Sequence, residues 1–303
     1  MLTANQLRQI AGRTGARDIA NVEIDVILTL LLQLFTERNI VEHLAFKGGT
    51  MLRKMVFGPR GRLSTDLDFT CRTDITTDDL LMMMLEALEE PFHGLTFRFD
   101  REKDWYRTED GCAANPVCSH ADNPKGIKIK LQVSTRERPI LPVTPMPQEP
   151  QDYFRLLGFV PAAIPCLAFE EVVAEKIRAA SQRSKIRDLH DLSEVVARPL
   201  NRELVRSLAV LKLWQSTGPN LDYNRFCERI NESGDYDIAD LTNLLRKDQR
   251  PDLKIMMSRV VDGFRFLSEL TYLERTLSQD DMQRRRVEME ALRAAVISSH
   301  GAE

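Results

Sequence analysis

The chain has 303 residues, of which 43% are hydrophobic and 29% charged, the composition of a globular protein long enough for one large core or two ordinary ones. A net charge of −3 excludes a generally basic nucleic-acid binder, so any RNA contact must use a local patch or a metal that carries part of the charge. Cysteines at 71, 112, 118, 166 and 227 make no disulfide framework and suit a reducing compartment. No uninterrupted apolar run approaches the roughly 20 residues of a membrane span, and residues 1–5 lack a signal-peptide pattern, so the expected location is the cytoplasm.

Residues 18–38 carry Ile19, Val22, Val26, Ile27, Leu30, Leu31 and Leu34, which predicts an amphipathic helix whose wide apolar face packs on a sheet. The apolar run 44–46 then meets Lys47-Gly48-Gly49-Thr50, and Met51, Leu52, Met55 and Val56 continue at helical spacing. This predicts a strand, a tight glycine turn and a helix start, where backbone N–H groups approach an anion closely. After the break Gly58-Pro59-Arg60-Gly61, residues 62–69 alternate, with Leu63, Leu67 and Phe69 in one register and Ser64, Asp66 and Asp68 in the other.

Two carboxylates about 7 Å apart on one strand face repel each other unless something positive lies between them. A hard divalent cation, Mg²⁺ or Mn²⁺, meets that need and commonly bridges to substrate phosphates. The phosphate-cradling turn and the metal-holding strand therefore outline a phosphoryl- or nucleotidyl-transfer site. The lysine precedes the glycines, so the turn is not a Walker A loop.

These motifs resemble the nucleotidyltransferase fold, in which a Gly-Gly or Gly-Ser turn precedes an Asp-x-Asp strand. The Lys-Gly-Gly-Thr-x-Leu-Arg start and the Arg-x-Ser-x-Asp-x-Asp strand resemble, more closely, the AbiEii/AbiGii (MenT-type) toxins of toxin–antitoxin and phage-defence systems. The expected nucleotide-binding set is Lys47, Gly48, Gly49, Thr50, Arg53, Arg62 and Ser64, with Asp66 and Asp68 as metal ligands.

Farther along, Thr76 or Thr77 is expected to cap a helix over 78–90, residues 95–99 read as a strand, and 101–124 as a hairpin or long loop. Residues 127–134 alternate as one strand with Gln132 on its polar face. Many nucleotidyltransferases place a third carboxylate on such a strand, and Gln132 departs from that pattern. Prolines at 139, 142, 145, 147, 150, 161 and 165 predict an extended connection and a domain boundary near Pro165. Helices are expected over 167–182, 188–196, 202–214, 223–230, 238–246, 253–277 and 282–297. The Arg284-Arg285-Arg286 run reads as a solvated helix face. Cys112, Cys118 and His120 lack a regular zinc spacing, and His190 reads as a helix-surface residue.

Within 167–191, Lys176 falls inside the apolar stripe Val172, Val173, Ile177, Ala180, while Asp188 and Asp191 share one side of the next helix. A lysine there either snorkels beside a carboxylate or serves a site. Glu175-Lys176 and Arg187-Asp188-Leu189-His190-Asp191 resemble the family's C-terminal signature, which implies that Lys176 contacts the triphosphate and that Asp188 or Asp191 orients it or acts as base.

The expected architecture is α+β: a nucleotidyltransferase-fold domain with a mixed sheet over 1–165, then an all-helical domain over 166–303 that completes the cleft. The resemblance implies transfer of a nucleoside monophosphate from an NTP to RNA, at the 3′ end of tRNA, with arrest of translation and a cognate antitoxin as partner. Two other functions stay open: a catalytically silent nucleotide- or partner-binding module, and a kinase-like phosphotransferase. No membrane partner is expected, and a monomer is the simplest oligomeric expectation.

Overall fold

Alternation and helical periodicity divide this chain sharply, and its computed structural model follows that division; the residues described are 1–100, 103–232, 234 and 236–300. Contacts group the chain into two compact units, one of residues 1–139, 143–167 and 243–250, the other of 140–142, 168–242 and 251–303.

The first unit opens with α1 (Ala4–Thr14), held by a reciprocal capping box between Thr3 and Gln6. Helix α2 (Ile19–Glu37) follows, with Asp18 at its N-cap. By length and hydropathy α2 is apolar enough to cross a membrane, yet 61% of its apolar window is buried inside the protein. It also carries the buried Asp25, so the molecule uses it as a core helix. Strand β1 (Leu44–Lys47) leads into α3 (Gly48–Met51), which continues without a break as a π-helix over Leu52–Phe57.

Strand β2 (Asp66–Cys71) is followed by α4 (Thr77–Ala87), capped by Thr76. The stretch expected as a hairpin or loop begins at Arg101, outside the described residues. Its described part forms β4 (Trp105–Thr108), β5 (Gly111–Ala114) and β6 (Val117–His120), after β3 (Thr96–Arg98). The strand expected over 127–134 is two strands, β7 (Asn123–Lys128) and β8 (Lys130–Ser134). The chain changes sheets at Ile129, whose N–H donates to the Pro116 carbonyl at 2.9 Å. An unbroken alternation cannot reveal that change, because side chains keep their period of two through it. The proline-rich connection also contains two short strands, β9 (Thr144–Met146) and β10 (Ile164–Cys166), with Pro145 in the edge strand, where a missing N–H is tolerated.

The main sheet has seven strands in the order β4-β5-β8-β2-β1-β10-β9, and β3-β6-β7 make a second, antiparallel sheet. The main sheet is mixed: β2 runs parallel to β8 and antiparallel to β1, and β1 runs parallel to β10. This puts the Asp-x-Asp strand at its centre.

The second unit is helical: α5 (Phe169–Gln182), α6 (Ile186–Val195), α7 (Arg202–Trp214), α8 (Tyr223–Asn231), α9 (Ile238–Thr242), α10 (Leu253–Gly263), α11 (Tyr272–Ser278) and α12 (Arg286–His300). The helix expected over 238–246 ends at Thr242, because the following residues join the first unit. There Leu244 accepts from the Leu63 N–H at 2.8 Å, and Lys247 donates to Gly15 at 2.8 Å. The long helix expected over 253–277 is broken by a 3-10 turn at Arg265–Ser268 and restarts at the Thr271 capping box.

Candidate functional site

Asp66 and Asp68 lie two residues apart on β2, half-buried, while Leu67 and Phe69 are buried on the opposite face. Across the sheet Asp68 is in register with Lys47 on one side and Gln132 on the other, and Asp66 is in register with Lys130. The polar face therefore holds two carboxylates flanked by Lys47, Gln132 and Lys130. Gln132 does occupy the position beside Asp68, on the neighbouring parallel strand.

The glycine turn is built against this face. Gly48 has φ +79°, and a Cβ there would stand 2.6 Å from Asp68 Oδ2, so both the backbone conformation and the space require glycine. The helix starts at Gly48 itself, with Lys47 at the N-cap making no side-chain cap. A helix start brought to a carboxylate edge is suited to a ligand that presents anionic oxygens together with a cation.

The other expected nucleotide-binding residues are placed differently. Thr50 and Ser64 are buried, and the Thr50 hydroxyl donates to Ser64 Oγ at 2.7 Å and to the Asp66 carbonyl. The two hydroxyls thus brace the turn onto β2. Thr65 donates to Asp66 Oδ1 at 3.1 Å. Arg62 is buried, with Nη1 on the Leu63 carbonyl at 3.2 Å. Arg53 is also buried and turns to Asp25, 3.7 Å away, and to the Gly58 carbonyl. A cavity of about 30 Å³ borders Arg53, Asp25 and Tyr153; nucleotide-sized ligands occupy pockets of roughly 300 Å³ or more.

A second polar cluster lies in the helical unit. Lys176 Nζ sits 2.7 Å from Asp188 Oδ1 and 2.8 Å from Asp191 Oδ2, and Arg183 Nη2 is 3.0 Å from Asp188 Oδ2. Lys176 is therefore the shared partner of both carboxylates rather than a snorkelling lysine with one. Burial pushes the Asp188 carboxyl up, but Lys176 and Arg183 outweigh that and hold it below the ordinary carboxylate value. An acid so stabilised as its anion is a weak proton acceptor, which favours an orienting role over a basic one. His190, expected at a helix surface, is buried. Sequence reasoning missed Glu171 and Lys212, a fully buried pair at 2.7 Å. Glu171 also accepts from the Ile140 and Leu141 N–H groups, at 3.0 and 2.9 Å. Glu171 directly precedes the apolar stripe and carried no motif signal.

Among the described residues no group of three or more His, Cys, Asp and Glu could hold a metal ion. Asp66 and Asp68 are instead a pair of hard oxygen donors on one face, and this donor set fits a divalent cation that completes its shell with substrate and water oxygens.

A mixed sheet with a glycine helix start packed onto an Asp-x-Asp strand is a nucleotidyltransferase architecture. The family model described as "Nucleotidyl transferase AbiEii toxin, Type IV TA system" matches residues 29–287. The chain belongs to that family of toxin–antitoxin nucleotidyltransferases. Among solved structures, MenT4, a nucleotidyltransferase toxin from Mycobacterium tuberculosis H37Rv, is 26% identical with a TM-score of 0.81, covering 98% of this chain and 100% of its own. JHP933 from Helicobacter pylori is 18% identical over 86% of this chain and 95% of its own, with a TM-score of 0.46. No curated protein matches the chain.

Proposed function

We propose that the protein transfers a nucleoside monophosphate from an NTP to a hydroxyl at the 3′ end of RNA, with tRNA as the acceptor class, and so arrests translation in the cytoplasm until a cognate antitoxin restrains it. The acceptor oxygen forms a bond to the α-phosphorus, the bond from that phosphorus to the β-phosphate oxygen breaks, and pyrophosphate leaves with the displaced charge. The observation that carries this reading is the approach of Gly48 to Asp68: no packing requirement explains a left-handed glycine held against a carboxylate on a central strand.

Asp66 and Asp68 would hold Mg²⁺ or Mn²⁺, which neutralises phosphate charge and lowers the pKa of the attacking hydroxyl. The backbone of Gly48 and Gly49 receives the phosphates, and Lys47, opposite Asp68, adds positive charge on the same face. Thr50 and Ser64 hold the turn at its height over β2, while Arg53 and Arg62 act from below as buried supports. In the helical unit, Lys176 is assigned the triphosphate, with Asp188 and Asp191 fixing its ammonium.

Gln132 beside Asp68 favours a second reading, a silent nucleotide-binding module, because a neutral amide brings none of the charge with which a carboxylate binds a metal. Purified protein given total tRNA and each α-³²P-labelled nucleotide in turn separates the cases. Labelled RNA is the expected result. Label transferred only from γ-³²P nucleotide would make the protein a phosphotransferase, and nucleotide binding with no transfer would make it the silent module.

A further inference from the structure

The roles assigned so far use no residue of α2, yet that helix anchors the most completely buried ionic group of the first unit. Asp25 is 2% exposed and Lys54 1%. Lys54 Nζ donates to the Asp25 carbonyl at 2.9 Å, to Asp25 Oδ1 at 3.1 Å and to Thr29 Oγ1 at 2.8 Å. The Tyr153 hydroxyl donates to Asp25 Oδ2 at 2.7 Å, and Arg53 Nη2 stands 3.7 Å from the same oxygen. Burial alone would raise the Asp25 carboxyl, but Lys54, Arg53 and the Tyr153 bond hold it below its ordinary value.

Both cations come from adjacent positions of the π-helix that continues α3. In an α-helix neighbouring side chains diverge by about 100°. The wider π turn brings them closer to one side, and such turns are rare and concentrate at functional sites. Stability does not explain the arrangement, since well-packed apolar residues in place of a buried ion pair are often neutral or stabilising. What the group does hold is the π turn of the helical segment, through Lys54 and Arg53. Gly48 heads the same helical segment, and with its Cβ position 2.6 Å from Asp68 Oδ2, a shift of a few tenths of an ångström changes that approach.

We infer that Asp25, gripping Lys54 and Arg53 and supported by Tyr153, is a positioning residue that locks the π-helical continuation of α3 and thereby sets the Gly48-Gly49 backbone over the Asp68 carboxylate. The effect on rate rests on the nucleotidyl-transfer reading; the effect on the turn's rigidity does not.

The test is the double variant Asp25→Asn/Lys54→Met, which removes one anion and one cation and leaves the net charge of the buried group as it was. Tyr153→Phe is the milder companion, losing a single hydroxyl. Melting temperature, amide hydrogen exchange and steady-state constants for the NTP are measured on each. The double variant is expected to melt near wild type, to exchange about tenfold faster over residues 46–57 with β8 unchanged, and to raise KM for the NTP about tenfold with a smaller change in kcat. Tyr153→Phe should move the same quantities in the same direction by about threefold. Wild-type exchange over 46–57 and wild-type KM in a folded double variant would overturn the inference. Should the double variant fail to fold, Tyr153→Phe decides by the same two measures. Wild-type protein that transfers no label would defeat the nucleotidyl-transfer reading, and the exchange comparison would still decide the positioning role.

Discussion

Asp66 and Asp68 stand two residues apart on one face of a central strand, where like charges repel each other. On the proposed reading, Asp66→Ala and Asp68→Ala should each lower transfer by at least about 10²-fold while leaving the fold intact, because each removes a proposed metal ligand and relieves repulsion on the other. Single-turnover rates and circular dichroism on the two variants check this, and a folded Asp66→Ala protein with wild-type transfer would remove the metal assignment. Lys176 shows the opposite balance. Read as a snorkelling lysine it tolerates Lys176→Met, but in the structure it neutralises two nearly buried carboxylates at once. Its loss leaves Asp188 and Asp191 facing each other without the ammonium they share, so Lys176→Met should destabilise by about 3 kcal/mol. The pH dependence has a definite sign. A carboxyl whose folded pKa lies below its unfolded value of about 3.9 adds stability that is complete above that value and is lost as pH falls through the lowered one. Asp188 is such a group. Removing Lys176 takes away the largest influence that lowers it, so the acid-unfolding midpoint of Lys176→Met should rise, as melting curves from pH 7 to pH 2 would show.

Among the elements, β2 is informative because each neighbour brings a different chemistry to one face. Strand β1 delivers Lys47 opposite Asp68 and then turns directly into α3, and β8 delivers Gln132 and Lys130 in parallel register. An amide at Gln132 can orient water or a phosphate oxygen but adds no charge to a metal site. Gln132→Ala should therefore cost about tenfold or less in kcat/KM, against the far larger loss in Asp66→Ala. Equal losses in the two variants would make Gln132 an essential orienting group. The Thr50–Ser64 bond belongs to the same scale, since it ties the first turn of α3 to the residue that precedes β2 by two positions.

For the whole molecule, the metal site proposed on Asp66 and Asp68 has a thermodynamic consequence. A site completed by substrate oxygens contributes to turnover without contributing to folding, unlike a structural zinc centre. EDTA should abolish transfer and leave the melting temperature unchanged, and a fall of several degrees would reveal a structural metal instead. The division into units has a similar bearing on variants. Residues 243–250 follow helical sequence yet join the sheet-bearing unit, so substitutions at Leu244 or Leu245 should report on the first unit's stability despite their position late in the chain.

By itself the sequence determined the α+β class, the central helix α2, the strand with both aspartates on one face, and the helical second half. Each of these is written in a local period, two for strands and 3.6 for helices, or in residue types such as paired glycines that few other contexts require. Only the tertiary structure decided which expected ligands face the carboxylates. Arg53, Thr50 and Ser64 carry the same side chains whether they meet a phosphate or a buried partner; what settles it is Asp25 beside Arg53, and the bonds of Thr50 to Ser64 and to the Asp66 carbonyl. The change of sheets at Ile129, the paired burial of Glu171 with Lys212, and the return of residues 243–250 to the first unit were equally invisible. Contacts between residues tens to hundreds of positions apart leave no period in the chain, and they are selected by which buried polar groups find partners once the sheet has formed.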